Sequence, residues 1–146
     1  MKGALIGLLI VAALGAAGCG DGDDEDTETR EFISVANPKT EFFTGQSYGD
    51  RIGFQEQLQE DGENVGSIYN VCTVYPAEGD PRVNCTATVD IDDEGSVTIQ
   101  GVVSFAGGDS EIAITGGTGD FSGASGTATV RVTEAAKAPL TLEIVK

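Results

Sequence analysis

Cys72 and Cys85 are the residues of this chain best suited to covalent chemistry, as a reactive thiol or as a bridge. A nucleophilic thiolate needs a base or a cation beside it, and the chain contains no histidine. That absence also removes the usual general base and the commonest metal ligand, which argues against catalytic triads and zinc sites. No metal and no cofactor are expected. The acidic run from Gly20 to Glu28 (Asp21, Asp23, Asp24, Glu25, Asp26, Glu28) could attract a hard cation. Its spacing does not match an EF-hand, however, and no glycine and distal glutamate complete one. The glycine-rich stretch Gly116-Gly117-Thr118-Gly119 lacks the following helix and lysine of a phosphate cradle. It suits positive φ and a close crossing of backbones at a barrel corner, with Phe121 tucked over the barrel end.

Location and charge narrow the partners. Met1-Lys2 is a short positive n-region, and Ala4 to Leu14 form an apolar stretch too short to span a bilayer. Gly15-Ala16-Ala17-Gly18 then leads into Cys19, which resembles a bacterial lipobox, with Ala16 where leucine is more usual. On this reading residues 1–18 are a lipoprotein signal peptide, Cys19 is lipidated, and residues 19–30 form an extended acidic tether. The alternative is an ordinary secretory signal with a chance cysteine. The formal charge is −16. Removing residues 1–18 takes away Lys2 and leaves 7 basic side chains against 24 acidic, a net of −17. Such a surface repels phosphate backbones, so nucleic acid is a poor partner.

From Glu31 to Lys146 the pattern is short strands separated by turns, in one domain. Val83, Cys85, Ala87, Val89 and Ile91 alternate with Asn84, Thr86, Thr88 and Asp90, a period of two. Further strands are expected over 65–75, 97–103, 112–115 and 126–133, with Leu140, Leu142 and Ile144 alternating in the last. No apolar stripe of helical period exceeds two turns. Many closely spaced strands with glycine turns indicate an all-β sandwich or closed barrel. With Cys19 lipidated, Cys72 and Cys85 remain as a pair in an oxidising compartment. A loop centred between Glu78 and Gly79 sets Cys72 opposite Cys85 and Tyr75 opposite Arg82, close enough for a disulfide pointing into the core. A free nucleophilic Cys72 is the competing possibility.

The order of several motifs resembles allene oxide cyclases and plant dirigent proteins. Gly49-Asp50, Phe54, Leu58, Asp61-Gly62 and Val65-Gly66 are similar to their opening block. Gln100-Gly101, Ile114 through Phe121, and Gly126 are similar to their closing block, and Phe105-Ala106-Gly107-Gly108-Asp109 to a dirigent segment. The resemblance spans roughly Tyr48 to Val132 and implies a small eight-stranded antiparallel barrel that receives an apolar small molecule. It implies a catalytic role for Asp109, a position that dirigent proteins keep as aspartate, but their arginine a few residues on has no counterpart here. The first-strand aspartate is missing from Phe32-Ile33-Ser34-Val35, and the cyclases' N-terminal glutamate and proline elements have no match. Cys72 stands where the cyclases have a cavity cysteine, a ligand-binding role that a disulfide would end. Asp109 also reads as a plain turn residue.

The face of the 65–75 strand that carries Ile68, Asn70, Cys72 and Val74 is expected to point inward. Val83, Ala87, Val89, Ile91, Val97, Ile99 and Val103 join it, leaving a barrel underfilled at one end. Asn70 is then the polar contact in an apolar pocket, with Asp109 near the mouth. Three functions fit. One is a membrane-anchored extracytoplasmic barrel that binds or sterically steers an apolar small molecule. Another is a cyclase, isomerase or dirigent-like enzyme holding a reactive intermediate by shape and exclusion of water. The last is a structural envelope protein with a filled barrel.

Overall fold

Every long strand has an apolar set at alternate positions, and the strands close on themselves so that all these sets face one interior. The computed structural model describes residues 26–37, 39, 42–44, 47–75, 82–133 and 137–146. The strands are β1 (Thr27–Ala36), β2 (Phe42–Phe43), β3 (Arg51–Glu60), β4 (Glu63–Tyr75), β5 (Arg82–Ile91), β6 (Gly95–Ser104), β7 (Gly108–Gly117), β8 (Ser125–Val132) and β9 (Lys137–Val145). Their order is β1-β9-β8-β7-β6-β5-β4-β3, and β1 also pairs with β3. That last ladder, from Ile33↔Gln59 to Ala36↔Glu56, closes an eight-stranded antiparallel barrel. The two-residue β2 lies against β3. The sequence places β4 to β9 within a few residues of their observed positions.

The register expected for the fourth and fifth strands is observed: Cys72 faces Cys85 and Tyr75 faces Arg82. The two sulfurs are bonded, with the Cα atoms 4.0 Å apart. The turn at 76–81 lies outside the described residues, as do Cys19 and the leader. One boundary differs from expectation. β1 begins at Thr27 and pairs with β9 from Thr27↔Val145 onward, so residues 27–30, assigned to the tether from their charge, belong to the barrel. Composition misleads there because Arg30 sits among the acids and pairs with carboxylates from two other hairpins.

One end of the barrel is sealed. Leu58, Val97, Phe121, Leu142 and Ile144 are fully buried. Phe121 lies on a single 3-10 turn, Gly119–Phe121, that folds across this end. The turn needs its glycines. At Gly95 (φ +126°) a Cβ would run into the carbonyl oxygen of Thr118, and at Gly119 (φ +62°) into that of Glu94. Backbone bonds Thr118 N to Ser96 O (2.8 Å) and Asp120 N to Glu94 O (2.8 Å) join the two crossing segments. Beside them Arg30, its side chain only 16% exposed, reaches Glu60 at 3.0 Å and Glu94 at 2.9 Å. Its Cζ stands 5.2 Å from the centre of the Phe32 ring. Hydrogen bonds to Glu60 and then Glu94 raise the Arg30 pKa against the opposing effect of burial.

Candidate functional site: an apolar cavity with a polar corner

The opposite end is not filled. A cavity of about 340 Å³ occupies the upper half of the barrel, open at the rim. That lies at the low end of the ~300–1,000 Å³ typical of small-molecule sites. Ile68, Ala87, Ile99, Val103, Ile112 and Leu140 supply its apolar wall, and Phe54 and Phe105 stand nearer the mouth. The space exists because several inward positions at this level carry small side chains, Ser34, Ala36, Ala87 and Ala138, where the sealed end carries leucine, isoleucine and phenylalanine.

Polar side chains interrupt this wall, Ser34 of β1, Glu56 of β3 and Asn70 of β4 on neighbouring strands, with Arg131 of β8 and Thr133 also in the lining. The ladders fix their spacing. Glu56 is opposite Ala36 on one side and Ile68 on the other; Ser34, level with Leu58, and Asn70, level with Phe54, are its diagonal neighbours in opposite directions along the strands. Asn70 Nδ2 donates to Glu56 Oε2 at 3.0 Å. Ser34 is 5% exposed, and its Oγ is, among the described residues, the buried side-chain oxygen without a hydrogen-bond partner.

Asn70 lies where its strand face placed it, inside and lining the cavity. Cys72 does not line the cavity. Its sulfur is committed to Cys85, which does. Asp109 stands outside, because β7 turns Ile112 and Ile114 inward and leaves Asp109 on the alternate face. It faces Arg131 of β8 and receives Nε at 2.6 Å and an η nitrogen at 2.9 Å. These hydrogen bonds hold the Asp109 carboxyl below the usual carboxylate range and raise Arg131 in return. Arg131 also contributes to the cavity rim.

Sequence reading passed over Ser34, Glu56 and Arg131. Glu56 had a signal: it shares strand parity with Phe54 and Leu58, so an inward carboxylate follows once those two are core residues. Arg131 had none, since its pairing with Asp109 needs the β7–β8 register.

The class the fold defines is a closed antiparallel barrel, sealed at one end and hollow at the other, with a few polar groups on an apolar wall. The family described as "Allene oxide cyclase barrel like domain" matches residues 30–144, and the chain belongs to it. No curated protein matches the chain. Among solved structures, a pyocyanin demethylase is similar at 22% identity and a TM-score of 0.69, covering 82% of this chain and 99% of its own. A pterocarpan synthase dirigent protein is similar at 19% identity and a TM-score of 0.67, covering 89% and 92%. An exo-specific intermolecular Diels–Alderase, AbnU, is similar at 14% identity and a TM-score of 0.67, covering 83% and 99%. At such identities the likeness is one of fold.

Proposed function

We propose that this protein binds or sterically steers an apolar small molecule in the open half of its barrel, at the outer side of a membrane to which Cys19 anchors it. The cavity carries this reading: a barrel that served only as a scaffold would fill its interior with side chains, as the sealed end does. Membership of the allene oxide cyclase barrel family supports it, as does the similarity to solved barrels whose names denote a demethylase, a pterocarpan synthase and a Diels–Alderase. The lipobox-like stretch before Cys19 supports the anchor.

An isomerase reading draws on the same space, because Glu56 is the one carboxylate among the described lining residues and could exchange a proton with a bound molecule. Both readings require the cavity. Replacing Ala87, 3% exposed on its wall, with phenylalanine is expected to fill it and abolish binding of an apolar fluorophore. Retention of binding by a folded Ala87→Phe protein would remove the site. Native mass spectrometry of the wild-type protein from its producing cells is expected to show a co-purifying small molecule. For the anchor, a fatty-acid analogue is expected to label the wild-type chain and not Cys19→Ser; equal labelling would dispose of it.

A further inference from the structure

We infer that the cavity selects a neutral apolar alcohol, whose hydroxyl is read by the Asn70 amide; this rests on the pocket reading above and names its ligand class. The orientation of that amide is fixed. Asn70 Nδ2 donates to Glu56 Oε2 at 3.0 Å, so the nitrogen faces Glu56 and the amide oxygen is turned from it. Glu56 has a further partner and enters here only as that fixed acceptor. Oδ1 meets no donor among the described residues, where Ser34 Oγ is the one buried side-chain atom left unpaired; the Asn70 oxygen is therefore both unpaired and open. The side chain is half-buried on the cavity wall. Directly across the two ladders from it stand Phe54 and Ala87, and the short Ala87 leaves the amide uncovered on that side.

The other polar groups of the lining are covered or engaged. Ser34 Oγ is closed off, Arg131 is held by Asp109, and Thr133 Oγ1 donates to the Lys137 carbonyl at 2.9 Å. Arg131 and Thr133 also stand exposed, at the rim. An amide has two N–H donors and an acceptor oxygen. With one N–H on Glu56, Asn70 has an oxygen and one N–H left for a guest. A hydroxyl donates and accepts, so it answers both. A ketone answers only the N–H and leaves Oδ1 buried without a donor, and a hydrocarbon leaves both unpaired. An ammonium head has nothing with which to accept and a carboxylate nothing to donate. Either ion would also lose its hydration against a largely apolar wall.

The test uses probes of one ring system and one shape: 1-(1-naphthyl)ethanol, 1-acetylnaphthalene, 1-(1-naphthyl)ethylamine and 1-isopropylnaphthalene. Each is titrated at pH 7 into the exported Cys19→Ser chain, which needs no detergent. The alcohol is expected to bind about fivefold or more tightly than the ketone, the order of effect of one buried acceptor left unpaired, and more tightly than the amine. In Asn70→Leu, which keeps the side-chain volume, the alcohol and the ketone are expected to converge to within about twofold. The hydrocarbon is expected to bind that variant at least as tightly as before. Asn70→Ala is read the same way should Asn70→Leu not fold. An alcohol preference over the ketone below about fivefold, tighter binding of the amine, or an alcohol preference that survives without Asn70 would overturn the inference and leave the pocket intact. Failure of every probe, the hydrocarbon included, to bind the barrel with Asn70 in place would overturn the pocket reading with it.

Discussion

The two ends of this barrel are made from the same eight strands and solve opposite problems. At the sealed end large side chains meet, Phe121 fills the axis, and the ion cluster that closes the rim is satisfied: Arg30 is shared by Glu28, Glu60 and Glu94. At the open end the inward residues shrink, about 340 Å³ stays empty, and one buried hydroxyl lacks a partner. Strand number does not explain the difference, since the same strands run through both halves. Side-chain volume at inward positions does, along with one short turn that crosses one end. Stability is therefore expected to be concentrated at the sealed end and recognition at the open one, and each variant below asks whether that division holds.

The sharpest test compares two phenylalanines. Phe121→Ala removes a fully buried ring from the sealed end and is expected to cost ~3–5 kcal/mol in denaturant unfolding. Phe54→Ala, at a partly buried position bordering empty space, is expected to cost about 1–2 kcal/mol. Equal losses would erase the distinction. Reducing the Cys72–Cys85 bridge comes next. The chain-entropy argument gives about 3 kcal/mol for so short a loop, read as a lower melting temperature of the reduced protein. Because Cys85 lines the cavity, the bridge braces the hollow half where packing is absent.

Arg30→Ala follows, leaving Glu28, Glu60 and Glu94 without their shared cation. The expected loss is about 1–3 kcal/mol, smaller at high salt because the remaining repulsion is screened. Smaller again is the acid response of Glu28. Its pKa is lowered, chiefly by the hydrogen bond from Lys146 (2.7 Å). A lowered carboxylate contributes stability above its unfolded pKa and loses it as pH falls through the folded value, so the contribution fades below about pH 4. Lys146→Ala is expected to flatten that part of the stability–pH curve. Asp109→Asn breaks an exposed pair on the outer face of the rim and is expected to leave both stability and probe binding unchanged. A large loss of binding there would move the site outward.

The barrel was legible because its evidence is local. Alternation along Val83 to Ile91 and the offset of Cys72 and Cys85 fix a register that the observed ladder reproduces. The inward placement of Asn70 followed from the same parity. Other parts depended on distant pairing. Residues 27–30 look like solvated tether until Glu60 and Glu94 approach Arg30 from other hairpins. Asp109 looks like a turn residue near a pocket until the β7–β8 ladder shows which face it occupies and which arginine it holds. Ser34 reads as an ordinary strand serine, because its missing partner is a property of the enclosed space and not of the chain around it.

The pairing of β1 with β9 also gives the barrel a direction. Thr27 lies against Val145, and Lys146 N donates to Asp26 O at 3.2 Å, so the described chain both starts and finishes at the sealed end. The lipid proposed at Cys19 would join the barrel from the sealed end, the end at which the described chain begins. The cavity lies at the other end, so entry to it is free of both chain termini of the described residues.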